Sequence, residues 1–152
     1  MNIGDAAPAF DLATDGGRVS LVALAGRKVV VYFYPRDDTP GCTTEAIDFT
    51  RRAGDFAAAE TTVIGVSKDT VAAHAKFRVK HNLGVDLASD PDGTMVEAYG
   101  AWVEKSMYGK KYMGIDRATV LIDRAGRVAA VWRKVKVPGH ADAVLKAAQA
   151  LA

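Results

Sequence analysis

The 152-residue sequence has one cysteine, Cys42, and its neighbours make it the first residue to weigh. It stands in the stretch Tyr34-Pro35-Arg36-Asp37-Asp38-Thr39-Pro40-Gly41-Cys42-Thr43-Thr44-Glu45, between a run of β-branched and aromatic residues and a run of good helix formers. Thr39 suits an N-cap and Pro40 suits the first helical position, which places Cys42 in the first turn of a helix. Unpaired N–H groups and the positive end of the helix dipole meet there and favour a thiolate over a thiol. A thiol titrating near 8.5 is a few per cent ionised at pH 7 and one titrating near 6 about nine-tenths, a gain of roughly thirtyfold. A lower pKa also makes a weaker nucleophile, so ionisation alone does not give a fast reaction. The electrophile must be held and polarised too. Thr39, three residues before the cysteine, offers a hydroxyl. Arg117 offers an always-charged, fork-shaped donor that stabilises charge developing on a departing atom.

Blander readings compete with this one. A lone cysteine is by default a small buried hydrophobe, and Thr39 can serve as a cap and nothing more. The strand before Cys42 and the helix after it favour the nucleophile, because the carboxyl ends of strands in α/β sheets open the crevice where ligands bind. One cysteine excludes an internal disulfide and every structural zinc pattern, and it fits a reducing compartment. A thioredoxin-type reductase, which needs a Cys-x-x-Cys pair, is excluded on the same ground. His74 and His81 lie seven residues apart on one predicted helix, too far apart to share a metal without another ligand. They read as surface histidines, and no metal or catalytic role is expected for them or for His140.

Elements that position these residues follow from the pattern along the chain. Length and composition, 49% hydrophobic and 25% charged, suit one globular domain over residues 1–152. The net charge of +2 is spread out, so no nucleic-acid partner is expected. No apolar run is long enough for a bilayer, and the first residues lack the pattern of an export signal, so the expected location is the cytoplasm. Asp15-Gly16-Gly17 predicts an N-terminal hairpin between Phe10-Asp11-Leu12 and Val19 to Val22. Lys28 to Tyr34 reads as a central strand, Thr39 to about Ala58 as a helix, and Thr61 to Ser67 as a second buried strand. A helix capped by Asp69 or Thr70 runs to about Asn82, followed by a short strand at Leu87 to Ser89 and a short helix at Thr94 to Tyr99. Trp102 to Met113 reads as loop with short strands, its Trp102, Tyr108 and Tyr112 forming an apolar rim, ordinary core or an association surface. A hairpin of Ala118 to Ile122 with Val128 to Trp132, and a helix from about Ala141 to Leu151, complete an α/β fold with a mixed sheet flanked by helices.

The spacing Pro35-x-x-x-Thr39-x-x-Cys42 resembles the active-site motif of the peroxiredoxins, and Phe33 to Ala46 resembles the bacterioferritin comigratory protein, or Q, subfamily. Val63 to Ser67, Leu87 to Pro91, Glu97 to Gly100 and Lys105 to Arg117 are similar to the same subfamily, so the resemblance spans essentially the whole chain. It implies a thioredoxin-like fold and a thiol-dependent peroxidase acting on hydrogen peroxide and small organic hydroperoxides, without a cofactor. By resemblance, Cys42 is the peroxidatic nucleophile, Thr39 bonds the peroxide, Pro35 shields the sulfur and Arg117 stabilises thiolate and transition state. The N–H groups of Gly41 and Cys42 help place the oxygens. Glu45 reads either as an acceptor in this network or as a surface charge, and no catalytic role is assigned to it. Many subfamily members carry a resolving cysteine five residues after the first, where this chain has Ile47. A sulfenic acid here therefore requires an external thiol, from thioredoxin, glutaredoxin or glutathione, in a one-cysteine cycle. A monomer or weak homodimer is expected, with a transient Cys42 to Cys42 disulfide between chains left open. The competing expectation is a redox sensor or holdase chaperone that uses the same cysteine.

Overall fold

A computed structural model describes residues 1–152. Its central feature is a seven-stranded mixed sheet, built because two β-branched runs pair in parallel and recruit antiparallel hairpins on each side. The strands are β1 (Asp11–Thr14), β2 (Gly17–Ser20), β3 (Lys28–Phe33), β4 (Thr61–Ser67), β5 (Asp86–Ser89), β8 (Ala118–Ile122) and β9 (Val128–Trp132). Their spatial order is β2-β1-β5-β4-β3-β8-β9, with β3, β4 and β5 parallel to one another. The β3–β4 register runs from Lys28 against Thr61 to Phe33 against Val66.

Side chains alternate across β3 and so divide the core in two. Val29, Val31 and Phe33 face a cluster with Val96 and Tyr99 from the short helix α4 (Thr94–Ala98) and its end. Val30, Tyr32 and Tyr34 face the opposite cluster, made with α1 (Pro40–Arg51), α2 (Ala53–Ala58), α3 (Val71–His81) and α5 (His140–Ala150). Cys42 belongs to that second cluster. This is the thioredoxin-like architecture that the resemblance implies.

Three expectations need correction. The helix foreseen from Thr39 to Ala58 is two helices, because Arg52 leaves helical geometry (φ −99°, ψ 5°), its side chain paired with Asp142 of α5 at 2.7 Å. The segment foreseen as loop with short strands, Trp102 to Met113, is instead a regular hairpin of two six-residue strands, β6 (Trp102–Met107) and β7 (Lys110–Ile115), forming a separate two-stranded sheet. Its turn uses Tyr108 and Gly109, both at positive φ. Tyr108 is fully solvated at the tip, whereas Trp102 packs at the base against the core and lies under Lys68, 4.5 Å from the ring centre. The three aromatic residues therefore form no single rim. Third, His74 is fully buried, and His81 bonds Asp38 at the surface end of the same helix. Of the two caps foreseen for α3, Thr70 serves, accepting from the Ala73 N–H, and Asn82 ends the helix in the left-handed conformation.

Candidate active site

The loop from β3 into α1 delivers the cysteine. Thr39 takes the extended conformation of an N-cap (φ −98°, ψ 156°), Pro40 starts the helix, and the Thr43 N–H makes the first helical bond to the Thr39 carbonyl at 2.8 Å. Gly41 and Cys42 therefore sit where N–H groups have no intrahelical acceptor. The Thr39 hydroxyl does not cap. It donates instead to the Arg36 carbonyl at 3.0 Å, which leaves its lone pairs as acceptors.

Cys42 Sγ is 2% exposed at the residue level and faces Arg117, whose Nη2 lies 3.4 Å away. Arg117 comes from the segment between β7 and β8, and its backbone carbonyl accepts from the Val135 N–H. Its other arm, Nη1, donates to Glu45 Oε1 at 2.7 Å. One guanidinium thus bridges the sulfur and a carboxylate one turn further along α1. Gly41 lies close beside it: a Cβ there would come within 3.1 Å of Nη2, so the guanidinium would have to give by a few tenths of an ångström.

Glu45 is 1% exposed, so it is no surface charge. Only one of its oxygens is paired, and Oε2 is buried without a hydrogen-bond partner. Burial pushes its carboxyl up to about 7, against the pull of Arg117. Burial also works against the charge of Arg117, but Glu45 and Cys42 outweigh it and hold the guanidinium above its ordinary value. Tyr32 lies beneath α1, stacked on Phe49 at 4.6 Å, and its hydroxyl likewise has no partner. Burial first, then the nearby Glu45 and Cys42, keep it a neutral phenol.

The structure thus brings Cys42 and Arg117 together and places Gly41 against the guanidinium, with Thr39 half-buried at the helix start. Pro35 lies exposed at the beginning of the loop. A cleft of about 450 Å³, lined by the N-terminal hairpin and by Arg78 of α3, shares none of these residues.

The AhpC/TSA family matches residues 3–131. A putative peroxiredoxin Bcp of Coxiella burnetii is 50% identical over 146 residues, 95% of this chain and 97% of that protein. The chain belongs to the peroxiredoxins of the AhpC/TSA family. Within the peroxiredoxins it groups with the Bcp or Q branch: peroxiredoxin Bcp of Bacillus subtilis is 46% identical over 147 residues, 96% of this chain and 94% of that one. The Xanthomonas campestris bacterioferritin comigratory protein, solved in a study of its alkyl peroxide reduction activity, superposes with a TM-score of 0.88 at 45% identity, over 93% of this chain and 90% of that one. Peroxiredoxins are peroxidases that use a peroxide and a thiol reductant, and the chain is an enzyme of that kind.

Sequence reasoning left Glu45 undecided and missed Tyr32. Glu45 follows Cys42 by three residues, a spacing that puts both on one helix face, and that was its available signal.

Proposed function

We propose that the protein reduces hydrogen peroxide and small organic hydroperoxides by a one-cysteine cycle at Cys42. The Cys42 thiolate attacks the terminal peroxide oxygen, the S–O bond forms as the O–O bond breaks, and the departing oxygen leaves as water or alcohol after taking a proton. Cys42 is then a sulfenic acid. An external thiol attacks that sulfur, releasing water and forming a mixed disulfide, and a second thiol restores the thiolate as the external disulfide departs. With no second cysteine in the sequence, both thiols come from outside the chain.

The roles follow from donors and acceptors. Arg117 Nη2 stabilises the sulfur anion and then the negative charge growing on the leaving oxygen. The free N–H groups of Gly41 and Cys42 donate to the peroxide oxygens, and the Thr39 hydroxyl, its hydrogen already used, accepts from the terminal O–H. Pro35 at the loop's start limits water around the sulfur. The observation that carries the reading is the Arg117 fork, one arm 3.4 Å from Sγ and the other fixed by Glu45. The Xanthomonas relative's alkyl peroxide reduction supports organic hydroperoxides as substrates. Chain residues 1–152 act as one domain in the reducing cytoplasm, as a monomer or weak dimer.

Single-turnover reaction of pre-reduced protein tests this: one thiol is lost rapidly per peroxide, Cys42→Ser abolishes the loss, and Arg117→Ala slows it about a hundredfold or more. Equal, slow peroxide consumption by wild type and the serine variant refutes it. The reductant is identified by steady-state turnover with glutathione plus glutaredoxin against turnover with thioredoxin. Burial of Cys42 and the lack of a resolving thiol favour one second reading, a redox sensor or holdase whose sulfenic acid persists. A single turnover with every thiol offered, followed by oxidation-dependent client binding, selects it.

A further inference from the structure

The loop that carries Pro35 and Thr39 is held by a buried polar cluster outside the Cys42–Arg117–Glu45 group. His74, in the first half of α3, is fully buried. Its Nε2 lies 3.0 Å from the Ala88 carbonyl and its Nδ1 lies 2.7 Å from Asp37 Oδ2. The carbonyl only accepts, so Nε2 carries a hydrogen. The hydrogen bond between Nδ1 and the Asp37 carboxyl oxygen places one further proton between the two side chains.

Asp37 is gripped from every other side. Its Oδ1 accepts from the Tyr34 hydroxyl at 2.6 Å, and its backbone N–H donates to Asp69 Oδ2 at 2.9 Å. Burial, first of all, raises the Tyr34 phenol far above its ordinary value, so it stays a donor. Asp69 Oδ2 also accepts from the Ser67 hydroxyl at the end of β4, at 2.6 Å. The next residue, Asp38, takes a left-handed conformation (φ 57°) and its carboxylate is held by Lys80 and His81, again from α3. Thr39 follows directly. A polar pair this deep is a poor source of stability compared with apolar packing, and its attested use is to fix one arrangement among several.

We propose that Asp37 and His74 are positioning residues for the peroxidase reaction: through residues 36–39 they fix the Thr39 hydroxyl and the first turn of α1, which carries Cys42. The inference rests on the reading of Cys42 as the peroxide-reacting sulfur. Neither residue touches the reacting atoms. The same clamp resists the outward movement that lets an external thiol reach a sulfur this buried, so its loss affects the two half-reactions in opposite directions.

The test uses His74→Gln and Asp37→Asn in the full chain, with Tyr34→Phe as a milder change that keeps the His74–Asp37 hydrogen bond. Val96→Ala, in the core on the far face of the sheet, serves as a control for lost stability. Each clamp variant slows single-turnover oxidation of Cys42 by hydrogen peroxide about ten- to hundredfold, the cost of a misplacement near 1 Å, and Tyr34→Phe slows it less. Each also speeds reduction of pre-formed sulfenic acid by dithiothreitol. Amide exchange at Asp37 and Thr43 quickens in the clamp variants and not in Val96→Ala, although its melting temperature falls comparably. Oxidation rates indistinguishable from wild type overturn the proposal, as does an equal loss in Val96→Ala. If His74→Gln fails to fold, Asp37→Asn and Tyr34→Phe decide it. A wild type inert to peroxide refutes the peroxidase reading, while the exchange comparison still judges the clamp.

Discussion

At the scale of the residue, one guanidinium is shared between the Cys42 sulfur and the Glu45 carboxyl. When Glu45 is ionised it draws on Arg117, and when it is neutral the cation faces the sulfur alone. Burial holds the Glu45 carboxyl up at about 7, so this sharing changes near neutral pH. The rate of Cys42 oxidation by peroxide is therefore expected to show a step near pH 7 that is absent in Glu45→Gln, read by stopped-flow mixing across pH 5 to about 9. A profile of the same shape in both proteins counts against the coupling. That Cys42 sits in the first turn of α1 behind Thr39 and Gly41 was legible because one short motif contains them all, and that Arg117 approaches its sulfur because a fixed cation was wanted ahead of a strand. Glu45 was not, since a carboxylate on a helix is a surface charge or a buried one according to how that helix sits, and the Tyr32–Phe49 stack that seats α1 is a contact between distant segments.

The elements decide how the sulfur is regenerated. On α1, residue 47 lies five positions after Cys42, which is about 140° around the helix and about 7.5 Å along it. A thiol at that position cannot reach Cys42 while the helix is intact. Ile47 is half-buried and packs against the core cluster under α1, so a cysteine there is accommodated with a modest loss of apolar contact. Ile47→Cys is expected to form an intramolecular disulfide after peroxide treatment and, in doing so, to lose part of its helical circular dichroism. Mass spectrometry of non-reduced peptides checks the first outcome, and a disulfide formed with the helix signal unchanged contradicts the second. The strands β3, β4 and β8 were legible because continuous β-branched runs leave little choice. The break at Arg52 was not, because Arg51, Arg52 and Ala53 are themselves good helix formers and the Asp142 partner lies 90 residues on. The β6–β7 hairpin was masked by composition: Glu104 and Lys105 on one strand and Lys110 and Lys111 on the other read as a solvated loop, and the ladder that holds it, from Trp102 opposite Ile115 to Met107 opposite Lys110, is not a local signal.

The whole molecule depends on contacts that join segments far apart. Pairing of β1 with β5 and of β3 with β8 could not be read locally, because a strand's pattern tells its buried face and not its neighbour. Buried titratable groups were equally invisible, and two of them make the fold's stability respond to pH in opposite senses. His140, at the start of α5, is buried with Nε2 2.7 Å from the Thr119 hydroxyl, between the edges of Phe49 and Trp132. Burial, and then the nearby Arg117, push it down to about 4. A histidine depressed on folding contributes stability that is present above its ordinary value of 6.5 and lost as pH falls through about 4. Glu45 is raised on folding from 4.5 to about 7, so its contribution is present below 4.5 and lost as pH rises through about 7. Across pH 4.5 to 6.5 the two slopes oppose each other, and the wild type is expected to change little in guanidinium unfolding free energy through that window. Single variants uncover each slope. His140→Gln leaves Glu45 alone, so stability falls as pH rises, whereas Glu45→Gln leaves His140 alone, so stability falls as pH drops. Each change is about 1–2 kcal/mol over the window. Slopes of the same sign in both variants would mean that some other group governs the response, and parallel flat profiles would mean that neither side chain stays buried in its uncharged form.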